Sequence, residues 1–112
     1  MENYVAIAQG LFYFLTGVWA LVSIDTFQKV TGPKTDLWLV KTVGVLVSVI
    51  GIGLILAGIR NNITAEIFFI AVGSAAVLTA IDVFYVSRKV ISKIYLLDAA
   101  VEIFFIACWL IL

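Results

Sequence analysis

The chain has no histidine, one cysteine and one proline among its 112 residues, and charged residues make up only 12% of it. Without histidine, and with Cys108 alone, it has no Cys/His metal site and no intramolecular disulfide, and we expect Cys108 to pack as a small hydrophobe. Seven basic residues balance seven acidic ones, so no excess of positive charge indicates nucleic acid as a partner. We expect no metal, no cofactor and no catalytic residue set.

Apolar residues are what the chain has in excess: 64% of it is hydrophobic and its mean hydropathy is +1.22. They form four blocks, at 4–24, 37–58, 63–86 and 91–112. Each block has the roughly 20 residues that cross a hydrocarbon core, and each must be helical because lipid offers no partners to free backbone groups. We therefore predict one all-α integral membrane domain, 1–112, folded as an antiparallel four-transmembrane-helix bundle.

The basic residues predict the orientation of this bundle. Six of the seven lie in or beside the first and third links, and only Arg60 lies in the second. By the positive-inside rule the first and third links are cytoplasmic, so we expect a multi-pass protein with both termini outside the cytoplasm. The six residues are Lys29, Lys34, Lys41, Arg88, Lys89 and Lys93.

The links and helix faces carry further signals. Residues 25–36 are predicted to be the longest loop, with Thr35 or Asp36 capping the next helix. Small residues spaced along the second and third blocks predict close helix contacts, within the chain or in a homodimer. These stripes are Gly44, Ser48, Gly51 and Gly58, and then Gly73, Ala76 and Ala80. A stripe of polar and small residues in the first block, from Gln9 and Tyr13 to Ser23, is expected to face protein.

Two carboxylates interrupt the last apolar block. Asp98 and Glu102 are four residues apart and share a helix face, with Tyr95 one turn earlier. At a rise of ~1.5 Å per residue, Lys41, Asp82 and Asp98 lie roughly 6–10 Å below the cytoplasmic edge. Glu102 lies roughly 16 Å below it, near the midplane.

Charged groups at such depth are costly and commonly functional. Lys41 either extends to the headgroups or pairs with Asp82 or Asp98. Glu102 has no basic residue at its depth, and burial disfavours its charged form, so we expect it to be protonated at neutral pH or to bind a cation. Polar groups that reach its level are Tyr13, Thr16, Ser48 and Ser74.

These residues predict a cavity open to the cytoplasm, with Glu102 as its floor. Its walls are expected to be Asp98, Tyr95, Asp82, Tyr85 and Lys41. The alternative interpretation makes Glu102 a neutral, hydrogen-bonded strut that holds helices or protomers together.

A shift of 57 residues sets 24–27 against 81–84 and Lys41 against Asp98. This pattern predicts that the bundle consists of two repeated helical hairpins, related by an axis along the membrane normal.

Residues 10–17, Gly-Leu-Phe-Tyr-Phe-Leu-Thr-Gly, and 51–58, Gly-Ile-Gly-Leu-Ile-Leu-Ala-Gly, resemble the small four-helix DoxX-like membrane proteins of bacteria. Residues 30–44 and 95–102 are similar to small uncharacterised bacterial proteins of this general kind. The resemblance implies a four-helix fold in the inner (plasma) membrane and no settled activity.

Three functions from different classes remain open. The first is binding or transport of a proton, a cation or a small amphipathic ligand in the acidic cavity. The second is a structural or accessory membrane subunit. The third is a lipid-modifying or redox-associated protein, in which Asp98 and Glu102 would act as general acid and base. No nucleophile or phosphate-binding loop accompanies the acids, which counts against an enzyme, although the question stays open.

Overall fold

A computed structural model describes residues 2–32 and 36–111 of the chain. Within these residues the chain forms five helices and confirms the all-α class: α1 (Glu2–Val22), α2 (Ile24–Thr31), α3 (Leu37–Ile59), α4 (Ala65–Ser87) and α5 (Tyr95–Ile111). Three of them, α1, α3 and α4, are long and apolar enough to cross a membrane. The fourth predicted block is shorter than expected, since α5 has 17 residues. Lys34 and the predicted cap Thr35 lie outside the described residues.

The predicted loop at 25–36 contains a helix instead, α2. It is separated from α1 by Ser23, whose backbone leaves the helical region. Phe27 is the buried residue of α2, and its ring packs edge-on against Trp19 of α1 with the centroids 5.1 Å apart. Asp25 and Lys29 are exposed, so this short helix is amphipathic and docks through Phe27.

Both α3 and α4 end in the same backbone conformation. The residues after their C-caps, Asn61 and Lys89, have φ angles of 53° and 60°. The next amides, of Asn62 and Val90, then donate to carbonyls five residues earlier at 3.0 and 2.9 Å. This arrangement satisfies terminal carbonyls and reverses the chain, which gives antiparallel neighbours joined by short links.

The small-residue face of α3 is confirmed as a packing surface, and its partner is α1. A Cβ atom built on Gly51 would lie 2.6 Å from the carbonyl oxygen of Gly10, and one on Gly44 would lie 2.9 Å from that of Gly17. Backbone therefore meets backbone along the whole crossing, a contact that larger residues would prevent. We call this contact, made by Gly10, Gly17, Gly44 and Gly51, the glycine seam.

The stripe predicted on α4 does not pack within the chain, and its use in a homodimer stays a prediction. Ala76 and Ala80 are exposed, and a Cβ on Gly73 would meet nothing within 4 Å. The buried face of α4 instead carries Ala71, Ala75 and Asp82. Since α4 has small residues on more than one face, spacing alone could not identify the one that packs.

Two antiparallel hairpins result, α1–α3 and α4–α5. The basic end of the bundle holds α2 and the link between α4 and α5; the terminal end holds the first residues of α1, the last of α5 and residues 60–64. Near the terminal end the hairpins share a core, against which the half-buried Cys108 packs. That core contains Val5, Ala6, Tyr13, Leu54, Ala71, Phe105 and Trp109.

Candidate functional site

A chain of buried hydrogen bonds joins the two hairpins where they meet. The indole nitrogen of Trp109 donates to Gln9 Oε1 at 2.6 Å. The amide nitrogen of Gln9 donates to the Tyr13 hydroxyl at 3.1 Å, and that hydroxyl donates to Glu102 Oε2 at 2.6 Å. Gln9 and Glu102 are both 0% exposed. We call these four residues the polar chain.

Helix geometry explains why these four side chains meet. Gln9 and Tyr13 are four residues apart on α1, and Glu102 and Trp109 are seven apart on α5, so each pair lies on one helix face. Because α1 and α5 run antiparallel, Gln9 lies beside Trp109 and Tyr13 beside Glu102. Gln9 also donates to the carbonyl of Ala71 at 2.9 Å, which adds α4 to the junction.

Between the polar chain and the basic end, the hairpins separate around a partly open cavity of about 500 Å³. Its walls are mainly apolar and come from all five helices. Glu102, Asp98 and Asp82 line it together with Tyr95. Among the described residues that line the cavity, none is a lysine or an arginine.

Two carboxylate oxygens in this cavity wall are buried without a hydrogen-bond partner: Oδ2 of Asp82 and Oε1 of Glu102. Asp82 is only 4% exposed, and Asp98 lines the same cavity. Carboxyls gathered in one mainly apolar cavity cannot easily all be ionised, so they favour holding a proton or binding a cation. A buried polar group left unpaired is costly, so these two oxygens are the candidate binding groups of the cavity.

The structure therefore brings four of the six predicted site residues together, Glu102, Asp98, Asp82 and Tyr95, and places the other two elsewhere. Lys41 is exposed and does not line the cavity, and the predicted ion pair with Asp82 or Asp98 is not formed. The reason is its position around α3, whose cavity-lining residues are Leu39, Val40, Val43, Gly44 and Val47.

Tyr85 also lies outside the cavity. Its exposed ring packs edge-on against Phe84, with the centroids 5.1 Å apart. The buried side of α4 passes through Leu78 and Asp82, both of which line the cavity, and then through the half-buried Val86. Tyr85 comes one residue before Val86 and therefore lies on a different side of α4.

Of the polar groups expected at the depth of Glu102, Tyr13 reaches it. Thr16 and Ser48 donate instead to carbonyls of their own helices, Phe12 and Gly44, each at 2.7 Å. Sequence reasoning missed Trp109 as a member of the site. The available signal was its position seven residues after Glu102, on the same face of α5.

Comparison of the chain with protein-family models, with curated protein sequences and with solved structures finds no match. The resemblance to DoxX-like membrane proteins therefore stays a prediction, and function has to be argued from the site itself.

Proposed function

We propose that this protein is a four-helix membrane protein that binds a small amphipathic cation, in competition with protons, in the cavity between its two hairpins. The observation that carries the proposal is the pair of unpartnered buried oxygens, on Asp82 and Glu102, in a mainly apolar cavity lined by three carboxyls. Ionisable groups within a membrane-spanning bundle are costly and commonly mark binding or transport sites.

The fourth span in this proposal is α5. Its 17 residues extend about 26 Å, close to the thickness of a hydrocarbon core, and it packs antiparallel to α4. The basic end carries Lys29, Lys41, Arg88, Lys89 and Lys93, which favours a cytoplasmic position for that end. The cavity would then open towards the cytoplasm, with both termini on the other side of an inner (plasma) membrane.

The chemistry of the walls favours an organic cation. Phe12, Trp19 and Phe27 line the cavity, and aromatic rings attract organic cations through their faces. The volume of about 500 Å³ suits a small molecule. Within residues 2–32 and 36–111, no group of three acidic or other metal-binding side chains is placed to hold a metal ion.

Competition with protons follows from burial. A carboxyl removed from water disfavours its charged form unless a positive group lies beside it. Protonation of Glu102 and binding of a cation beside it are therefore alternative ways to neutralise the same group. Binding should strengthen as the pH rises, because fewer carboxyls then hold protons.

The test is equilibrium binding of tetraphenylphosphonium to the purified protein in lipid nanodiscs between pH 5 and 9. We expect binding that strengthens with pH, and a loss of at least about tenfold in Glu102→Gln, since an interaction with a charged group contributes roughly 1.5–3 kcal/mol. Glu66→Gln is the matched control, because Glu66 is exposed in the first turn of α4, away from the cavity. Equal binding by wild type and Glu102→Gln would refute the proposal.

The strut interpretation of Glu102 has one observation in its favour, the bond from Tyr13 to a fully buried carboxyl. It predicts no binding of the cation at any pH, with Glu102→Ala lowering the unfolding temperature in detergent. The proposed function also allows that loss of stability, so the binding measurement separates the two.

A further inference from the structure

The orientation of the Gln9 amide is fixed from both sides. An indole N–H can only donate a hydrogen bond, so the atom 2.6 Å from Trp109 Nε1 must be the amide oxygen of Gln9. A backbone carbonyl can only accept, so the atom 2.9 Å from the oxygen of Ala71 must be the amide nitrogen. Both hydrogen bonds therefore require the same orientation of the Gln9 amide.

The direction of the remaining bonds follows. Gln9 gives one of its two amide hydrogens to Ala71 and the other to the hydroxyl oxygen of Tyr13. Among the described residues, Glu102 Oε2 is the other partner of the Tyr13 hydroxyl, and because Gln9 already donates to that hydroxyl, its own hydrogen is directed to Oε2. That oxygen is therefore a hydrogen-bond acceptor whether Glu102 is charged or neutral.

We infer that Gln9 and Trp109 are positioning residues, which act through Tyr13 to keep Glu102 Oε2 as an acceptor and so hold the exchangeable proton or cation at Oε1. Oε1 is the oxygen with no partner in the protein. The exchange itself rests on the proposed function, whereas the orientation rests on the donors and acceptors alone.

The polar chain also limits the route of the proton. Indole and amide groups do not exchange protons as acids or bases near neutral pH, so Trp109 and Gln9 cannot pass a proton from the terminal end to Glu102. Exchange at Glu102 therefore takes place through the cavity. The titratable side chains lining it are Tyr13 from α1, Asp82 from α4, and Tyr95 and Asp98 from α5; the described lining residues of α2 and α3 are not titratable.

Infrared spectroscopy of the full chain in lipid, without ligand, tests this orientation. The C=O stretch of protonated Glu102 is identified as the band that Glu102→Gln removes. If Oε2 is the carbonyl oxygen and accepts from Tyr13, wild type gives one band at reduced wavenumber. Tyr13→Phe differs by one oxygen and should move that band to higher wavenumber, because the donor is lost.

Gln9→Leu separates the positioning role from a merely structural one. Without the Gln9 amide, the Tyr13 hydroxyl can either donate to Glu102 or accept from it, so we expect a second band at higher wavenumber. Tyr85→Phe, at an exposed tyrosine outside the cavity, should leave the spectrum unchanged. Circular dichroism confirms that each variant retains its helices.

A Glu102 band at the same wavenumber in wild type and Tyr13→Phe would overturn the inference, even if tetraphenylphosphonium binds. So would the lack of any protonated Glu102 band down to the lowest pH at which the protein stays folded. Conversely, a band that shifts in Tyr13→Phe while the cation never binds would support the orientation and refute the proposed function.

Discussion

The glycine seam and the interface between the two hairpins differ in the kind of contact that holds the helices together. At the seam, backbone touches backbone, and a methyl group on Gly51 would come within 2.6 Å of a carbonyl oxygen. Between the hairpins, contact is made by the polar chain and the apolar core around it, and beyond them the helices part around about 500 Å³ of cavity. In lipid, close packing and interhelical hydrogen bonds both hold helices together, but only the second leaves groups available for chemistry. The molecule therefore combines a tightly packed hairpin, α1–α3, with a second hairpin, α4–α5, and the two enclose the cavity between them.

The largest effect on stability is expected at the seam, from Gly51→Ala. The new methyl group would lie 2.6 Å from Gly10 O and 2.7 Å from the amide nitrogen of Phe14, both backbone atoms that cannot move aside. Overpacking of this kind costs about 1–3 kcal/mol or more. The measurement is the unfolding free energy in mixed detergent micelles.

Gly53→Ala is its matched control, two residues away on the same helix. Gly53 is exposed and a Cβ there meets nothing within 4 Å, so alanine should be neutral or stabilising by up to about 1 kcal/mol. If both variants lost stability equally, the seam would not be the close contact described here.

A loss of comparable size is expected at the interface between the hairpins, from Gln9→Leu. Leucine fills a similar volume but leaves the indole N–H of Trp109 and the carbonyl of Ala71 without their partner. A buried group left unpaired costs about 1–3 kcal/mol.

A double-mutant cycle sharpens this prediction. Trp109→Phe removes the stranded N–H, so the double variant with Gln9→Leu should be more stable than the sum of the two single losses predicts. Strictly additive losses would mean that the bond between Gln9 and Trp109 contributes nothing to the interface. The unfolding free energies of all four proteins, measured in the same micelles, decide between the two.

Local signals predicted most of the helices and the packed face of α3. Block length predicted four spans, of which three are membrane-capable helices within a few residues of the predicted bounds, and the spacing of Gly44, Ser48 and Gly51 predicted the face of α3 that packs. The helix α2 was missed because its sequence is polar and its docking depends on the contact of Phe27 with the ring of Trp19. The face of α4 that packs within the chain was not identified, because small residues occur on several of its faces.

For the site, the sequence predicted which acidic residues line the cavity better than which side of a helix a residue faces. Asp82, Asp98 and Glu102 were predicted to lie in the cavity, and all three line it. Lys41 and Tyr85 were predicted to lie there too, but they are on other sides of their helices. The hydrogen bond between Gln9 and Trp109 joins positions 100 residues apart, and no local sequence pattern predicts such a contact.

The smallest effects are expected from Lys41→Ala, and they test whether the interface between the hairpins contains a charge pair. Lys41 is exposed and outside the cavity, so its loss should change the unfolding free energy by no more than about 0.5 kcal/mol. The affinity for tetraphenylphosphonium in nanodiscs should also stay at the wild-type value. A large loss of stability would show that Lys41 reaches Asp82 or Asp98 in the bilayer. The carboxyls would then already be paired with Lys41, and they would not need a bound organic cation. The proposed difference between the glycine seam and the cavity would then be refuted as well.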